Sequence, residues 1–216
     1  MNLAQALIAA MGGGFRLVTY SSSLNSANIT VPAGGAVGDV LVLVDMASNF
    51  TSSYPTTGAS LGFTEINNVF GTDGTDRWNR QMLYFQYATS DLSGTSVTGG
   101  MTGNALTQKL LLVFRGTAAF ATATALDAAG EATTGNPTAQ VLGINGQTAP
   151  LIAVAAFWGA STNTLSGSSS VLHPNGYLEV KYRIYTADPT ADLTADTGDA
   201  AGFVNILQSC YIQLTY

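Results

Sequence analysis

Apolar positions along this chain follow the two-residue period of a β-strand, not the roughly 3.6-residue period of a helix. Past residue 14, short runs rich in Val, Ile, Leu, Thr, Tyr and Phe alternate with clusters of Gly, Asn, Asp, Ser and Pro. The runs predict strands over 15–21, 27–32, 39–48, 63–70, 79–89, 96–99, 107–115, 120–126, 138–144, 149–159, 177–186 and 203–216. Turn signals separate them at PAGG (32–35), GTDG (71–74), GG (99–100), NP (136–137), NG (145–146) and PNG (174–176). Many strands without crossover helices predict an antiparallel sandwich or barrel, here a single domain over 15–216.

Three runs break the alternation. Val40, Leu41, Val42, Leu43 and Val44 are apolar without interruption, as are 110–114 in KLLLVFRG and 151–158 in LIAVAAFW. A strand with one wet face alternates, so these strands need cover on both faces. One face suits an opposite sheet. For Leu41 and Leu43 the second cover is the N-terminal segment, a long loop or another subunit. The segment 210–216 alternates more cleanly, with Gln213 and Thr215 on one side, so an extra apolar cover is expected on the first-half sheet. Interface cores are depleted of charge, and 132–178 holds no Asp, Glu, Lys or Arg. This favours a homo-oligomer, a trimer first, with Leu41 and Leu43 in its interface.

The first residues depart from the strand pattern. Leu3, Leu7, Ile8 and Met11 fall on one helical face, and Gly12, Gly13 and Gly14 stop it. The segment has the outline of a signal peptide but no Lys or Arg before a short apolar run. It reads as a helical docking arm over 1–14 with a glycine hinge, its Leu3, Leu7 and Ile8 facing an assembly partner. No stretch approaches the ~20 apolar residues of a membrane helix.

The two halves echo one another. YFQYATS (84–90) resembles YRIYTAD (182–188), 110–114 resembles 209–214, and 39–48 resembles 149–159. Two similar β-motifs, about 27–117 and 138–216, packed face to face would account for it.

Composition narrows the function. Hydrophobic residues make up 46% and charged residues only 9%, against about 25% in average proteins. Net charge is −6 with an isoelectric point near 4.4. The two lysines, Lys109 and Lys181, and five arginines form no cluster to neutralise several phosphates, so neither nucleic acid nor an anionic membrane surface is an expected partner. A single cysteine, Cys210, excludes an internal disulfide and sits in a strand-like alternation as an inert thiol. The one histidine, His173, precedes a Pro-Asn-Gly turn as a surface or packing residue, and no second histidine is present for a triad or a His-rich zinc site.

Three constellations remain. Carboxylate pairs for general acid–base work would have to come from Glu65, Glu131 or Glu179, of which Glu65 and Glu179 sit in predicted strands. The acidic run ADPTADLTADTGD, with Asp192, Asp196 and Asp199, offers hard oxygens for Ca²⁺ but lacks EF-hand spacing, and no cofactor or metal is assigned. Trp78 lies near a loop tip between Arg77 and Arg80, and Tyr54 lies in another long loop. A flat ring beside polar donors suits a sugar, whose apolar face stacks while its hydroxyls are bonded. Pinning loops to the sandwich is the competing role for these rings. GGAVGD lacks the lysine of a phosphate-binding loop.

The segments VPAGGAVGDVLVLVDMAS, YFQYATSDLSGTSVTG and KLLLVFRGT carry a resemblance. Gly38 and Asp39 before an apolar strand, Tyr84, Tyr87 and Ala88 in a later one, then Phe114, Arg115 and Gly116 closing a third, resemble the pattern of small jelly-roll virion proteins of tailed bacteriophages. The resemblance spans about 30–120. It implies a jelly-roll-like β-sandwich and a non-catalytic structural role on a virion assembled in the host cytoplasm, as capsid decoration or cement, head spike, or tail fibre or tip. Neighbouring capsid or tail proteins would be its partners. The alternative is a carbohydrate-binding module or adhesin for host-surface glycans, using Tyr54, Arg77, Trp78 and Arg80.

Overall fold

The structure, a computed structural model, describes residues 14–33, 35–49, 58–74, 78–101, 106–116, 118–159, 162–198 and 204–216. The arm with Leu3, Leu7 and Ile8 lies outside the described residues, as do Tyr54, Arg77 and Asp199. Among the described residues the chain is all β and antiparallel, with no helix. The first half forms β1 (Arg16–Leu24), β2 (Asn28–Thr30), β3 (Val40–Asn49), β4 (Thr64–Thr72), β5 (Trp78–Tyr87), β6 (Ser96–Thr98) and β7 (Leu106–Arg115). The second forms β8 (Thr122–Thr133), β9 (Gln140–Leu142), β10 (Leu151–Trp158), β11 (Asn163–Leu165), β12 (Ser169–Leu172), β13 (Leu178–Tyr185), β14 (Leu193–Thr197) and β15 (Asn205–Thr215).

Each half builds one large sheet and one small one. The large sheets run β1-β7-β3-β5-β4 and β12-β13-β10-β15-β8, and the small ones β2-β6 and β11-β14-β9. The pairing is nested. In the first half β1 pairs with β7, β2 with β6 and β3 with β5. In the second, β8 pairs with β15, β9 with β14 and β10 with β13.

The alternation of a strand assigns each residue to a layer. Val40, Val42, Val44 and Met46 point into the space between the large sheets. There they meet Leu110, Leu112 and Phe114 of their own sheet and Ile152, Val154, Ala156, Cys210 and Ile212 of the other. At the β4–β8 edge the sheets nearly touch. A Cβ on Gly130 would lie 2.3 Å from Val69 Cγ2, so only glycine allows this approach.

Leu41, Leu43 and Ala47 point the other way. They are covered by Ile29 of β2, Val31, Leu92, Val97 of β6 and Met101. Leu41 and Leu43 are 0% exposed within one chain, which overturns their expected place in an assembly interface. The cover is a two-stranded ribbon with its loops, not a second subunit. The same holds for the second half, as the unbroken apolar run at 151–158 requires. Ala153, Ala155, Phe157, Leu207 and Tyr211 pack beneath Leu142, Ile144, Leu165, Leu193 and Ala195. The molecule is therefore four layers deep, with two large sheets inside and two small ones outside, and every fully buried Leu or Val contributes about 1.5–3 kcal/mol.

The echo between the halves matches strand with strand but misplaces the faces. It sets Tyr84 against Tyr182 and Leu112 against Tyr211. Tyr84 lies in an outer core while Tyr182 packs against the central one, and Leu112 and Tyr211 are likewise on opposite kinds of face. A slip of one residue moves every side chain to the other face of a sheet.

Candidate functional site

The β4–β5 hairpin brings aromatic and cationic side chains to one sheet edge. Its register sets Thr72 opposite Trp78, Phe70 opposite Arg80 and Asn68 opposite Met82. The Phe70 and Trp78 rings lie 5.3 Å apart at a 31° tilt. The Arg80 guanidinium lies 5.5 Å from the Phe70 centroid, and its Nε donates to Asn68 Oδ1 at 2.9 Å. Phe70 is 37% exposed and Trp78 half-buried. This is a flat apolar strip rimmed by a donor and an amide, the chemistry that stacks on a pyranose face.

Two of the four expected glycan contacts, Trp78 and Arg80, thus share one face of β5. Sequence reasoning missed Phe70 and Asn68. They belong to the other strand, and only the hairpin register places them beside Trp78. The GTDG turn signal at 71–74, with strands read on both sides, was the clue that could have paired them.

The acidic run has another use. Asp188 Oδ1 accepts from the Ala149 N–H at 2.9 Å and Asp192 Oδ1 from the Asn145 N–H at 2.9 Å. Asp196 Oδ1 accepts from the adjacent Thr197 N–H at 2.8 Å, within β14. The carboxylates tie backbone segments together. Among the described residues no three His, Cys, Asp or Glu side chains form a metal-holding group. Beside this loop lies a cleft of about 450 Å³ lined by Ser166, Arg183, Tyr185, Asp188 and Asp192. In it the Arg183 guanidinium lies 4.7 Å from the Tyr185 centroid and Arg183 Nη1 donates to Ser166 O at 3.0 Å.

The motif residues that carry the virion resemblance meet at one end of the first large sheet. Arg115 grips Asp39 with two prongs, Nε to Oδ1 and Nη2 to Oδ2, both at 2.7 Å. Asp39 Oδ2 also accepts from the Ala36 N–H at 2.7 Å. The Gly38 N–H donates to Ala88 O at 2.8 Å, the Ala88 N–H donates to Asp39 O at 2.9 Å, and Tyr87 Oη donates to Phe120 O. The bonds to Asp39 raise the Arg115 pKa above its ordinary value. These residues form a staple that joins β3, β5 and β7. Tyr84 is not part of it. It is enclosed in the outer core with its hydroxyl 3.1 Å from Met82 Sδ, and burial, then the Asp45 charge, pushes its pKa up.

Several of the remaining titratable groups have structural partners. His173 is 2% exposed. Its Nδ1 accepts from the Asn175 N–H at 3.2 Å, so Nε2 carries the proton and donates to Ser23 O at 3.0 Å, clasping β1. Glu179 pairs with Lys181 at 3.0 Å and accepts from Asn163 at 2.8 Å. Glu131 accepts from the Thr138 N–H at 2.7 Å, and Glu65 lies opposite Tyr84 on β4. Burial pushes the Cys210 thiol up to about 12, with the Asp127 charge adding to it.

The chain matches no family model, no curated protein and no solved structure.

Proposed function

We propose that this chain is a non-catalytic structural component of a bacteriophage-like virion, borne on the particle as capsid decoration or cement or as part of a tail fibre or tip. The observation that carries the reading is the nested pairing, first strand with last and second with next to last, repeated in both halves. We read each half as a jelly roll, a long antiparallel hairpin rolled into two facing sheets. That wiring serves viral capsid and lectin domains. The Asp39–Arg115 staple supports the reading, because it uses the residues through which the sequence resembles phage virion proteins. A charge-poor chain with closed outer faces suits a particle that persists outside a cell. Contacts with neighbouring capsid or tail proteins, and self-association as a trimer, would use surface other than Leu41 and Leu43. The arm bearing Leu3, Leu7 and Ile8 is the first candidate.

The test is a protein inventory of gradient-purified particles from a producing culture. The chain is expected in the particles at a fixed ratio to the main shell protein. Its confinement to the soluble fraction would overturn the proposal. Deleting residues 1–14 is expected to abolish incorporation while leaving the thermal transition in place.

A second reading, host-glycan binding, is favoured by the Phe70–Trp78–Arg80 strip. On an array of bacterial surface glycans, a binder that loses its ligand in Trp78→Ala while keeping its melting temperature would support it. A wild-type chain that binds nothing on the array would dismiss it.

A further inference from the structure

We propose that Lys109 and Asp45 join in an intramolecular isopeptide bond, with Lys109 Nζ acylated by Asp45 Cγ and one water released. The inference is independent of where the chain resides. It begins from register. Asp45 on β3 and Lys109 on β7 are direct cross-strand partners. Their side chains therefore leave the same face of neighbouring strands, and Nζ lies 2.7 Å from Oδ1. Both side chains are 0% exposed. They sit beneath the outer cover of the first half, among Leu43, Ala47, Met82, Leu111 and Met101.

An ion pair is poorly served there. An ammonium has three donors, yet among the described residues Nζ has no hydrogen-bond partner beyond this contact, and neither has Oδ1. Burying two charges costs several kcal/mol per ion unless further bonds offset it. Burial accordingly drives the Asp45 carboxyl toward its neutral form, against the opposing pull of Lys109. Nor does the fold demand charge at this place. In the other large sheet the pair Ala155 and Ser209, on the corresponding strands and the outward face, has none.

What surrounds the pair fits acyl transfer. The Met101 N–H donates to Asp45 Oδ2 at 3.1 Å, and the Gly100 N–H also bonds the carboxyl. The Met101 N–H on Oδ2, in a dry site, would stabilise the oxyanion of a tetrahedral intermediate. Gly99 presses the reactants together. A Cβ there would lie 2.2 Å from Asp45 Oδ2 and 2.5 Å from Lys109 Cε. Fixing an amine against a carboxyl in this way replaces a bimolecular encounter, an effect worth several kcal/mol of barrier.

The step balances without a co-reactant. One proton passes from Nζ to Oδ1, turning the ion pair into amine and acid. The Nζ lone pair attacks Cγ, the N–C bond forms, and the carbonyl π electrons move to Oδ2, held by the Met101 N–H group. A second Nζ proton moves to Oδ1, the C–Oδ1 bond breaks and water leaves. Oδ2 again becomes a carbonyl oxygen. The product is a neutral amide linking β3 to β7, which relieves the buried charges and needs no oxidant, in a chain with a single cysteine.

Mass spectrometry of the purified full chain tests this directly. The expected mass is lower than the sequence mass by one water, and the tryptic map should show the Asp45 peptide joined to the Lys109 peptide with no cleavage after Lys109. Lys109→Met should restore the full mass. An unlinked Lys109 peptide from natively folded wild-type chain would overturn the proposal. The wild-type map decides the matter even where Lys109→Met fails to fold.

Discussion

Gln81 on β5 donates through Nε2 to Gln208 Oε1 on β15 at 2.9 Å, a hydrogen bond from one large sheet to the other through the central core. Gln81 Nε2 also reaches Ala156 O at 3.2 Å. The contact crosses a central core that is mostly apolar, and with Asn79 Nδ2 donating to Val204 O at 2.7 Å it ties β5 to the second half.

Gln81→Leu should cost about 1–3 kcal/mol in urea unfolding, because it strands Gln208 Oε1 in a dry interior. Combining it with Gln208→Leu should cost less than the sum of the two single changes. Strict additivity would mean the two amides do not act as a pair.

Gln108 lies in the same central layer, fully buried, and among the described residues neither its Oε1 nor its Nε2 has a partner. Replacing it with methionine removes an unsatisfied amide at nearly constant volume. The expected result is a gain of about 1 kcal/mol or more in unfolding free energy. A loss instead would show that the amide is bonded to internal water.

Leu43→Ala is expected to cost about 2–5 kcal/mol, as for other leucines fully enclosed in a core. Light scattering should give the same mass for the variant as for the parent chain. A change in oligomeric state would place Leu43 at a subunit contact after all.

Asp39→Asn and Arg115→Lys should each lower stability by about 1–3 kcal/mol, since charge-assisted bonds to a buried carboxylate are at stake. Arg115→Lys keeps the charge and loses the fork. If it melts at the parent temperature, the two-pronged geometry contributes nothing.

The Cys210 thiol ionises near 9.0 in an unfolded chain and at about 12 when folded. Its folded-state pKa is raised, so its contribution is fully present below the lower value and is lost as pH rises between the two. Over that interval the slope reaches at most about 1.4 kcal/mol per pH unit. Unfolding curves of Cys210→Ala should lack this increment of alkaline destabilisation. In the native chain the thiol should resist alkylating reagents until denaturant is added.

The strands themselves were legible. Every run with clean alternation or unbroken apolar character, from 15–21 to 203–216, overlaps a strand. Three strands were missed, β11, β12 and β14. The first two fall in a Ser- and Asn-rich stretch with few apolar positions. The third, LTADT, lies inside the acidic run that reads as a loop, although Leu193, Ala195 and Thr197 are buried in alternation. A short edge strand needs few apolar residues, so its local signal is weak.

Periodicity alone establishes a β chain past residue 14 whose central strands are covered on both faces. That follows because side-chain direction along a strand is a local property. What covers them was decided only in three dimensions. The answer, a ribbon from the same chain over Leu41 and Leu43, depends on pairing between segments distant in sequence, which no periodicity records. The same is true of Phe70 beside Trp78, of Asp39 in the fork of Arg115, and of Lys109 against Asp45. Each residue is visible in the sequence, but its partner is set by strand register, and register is fixed by the packing of the whole.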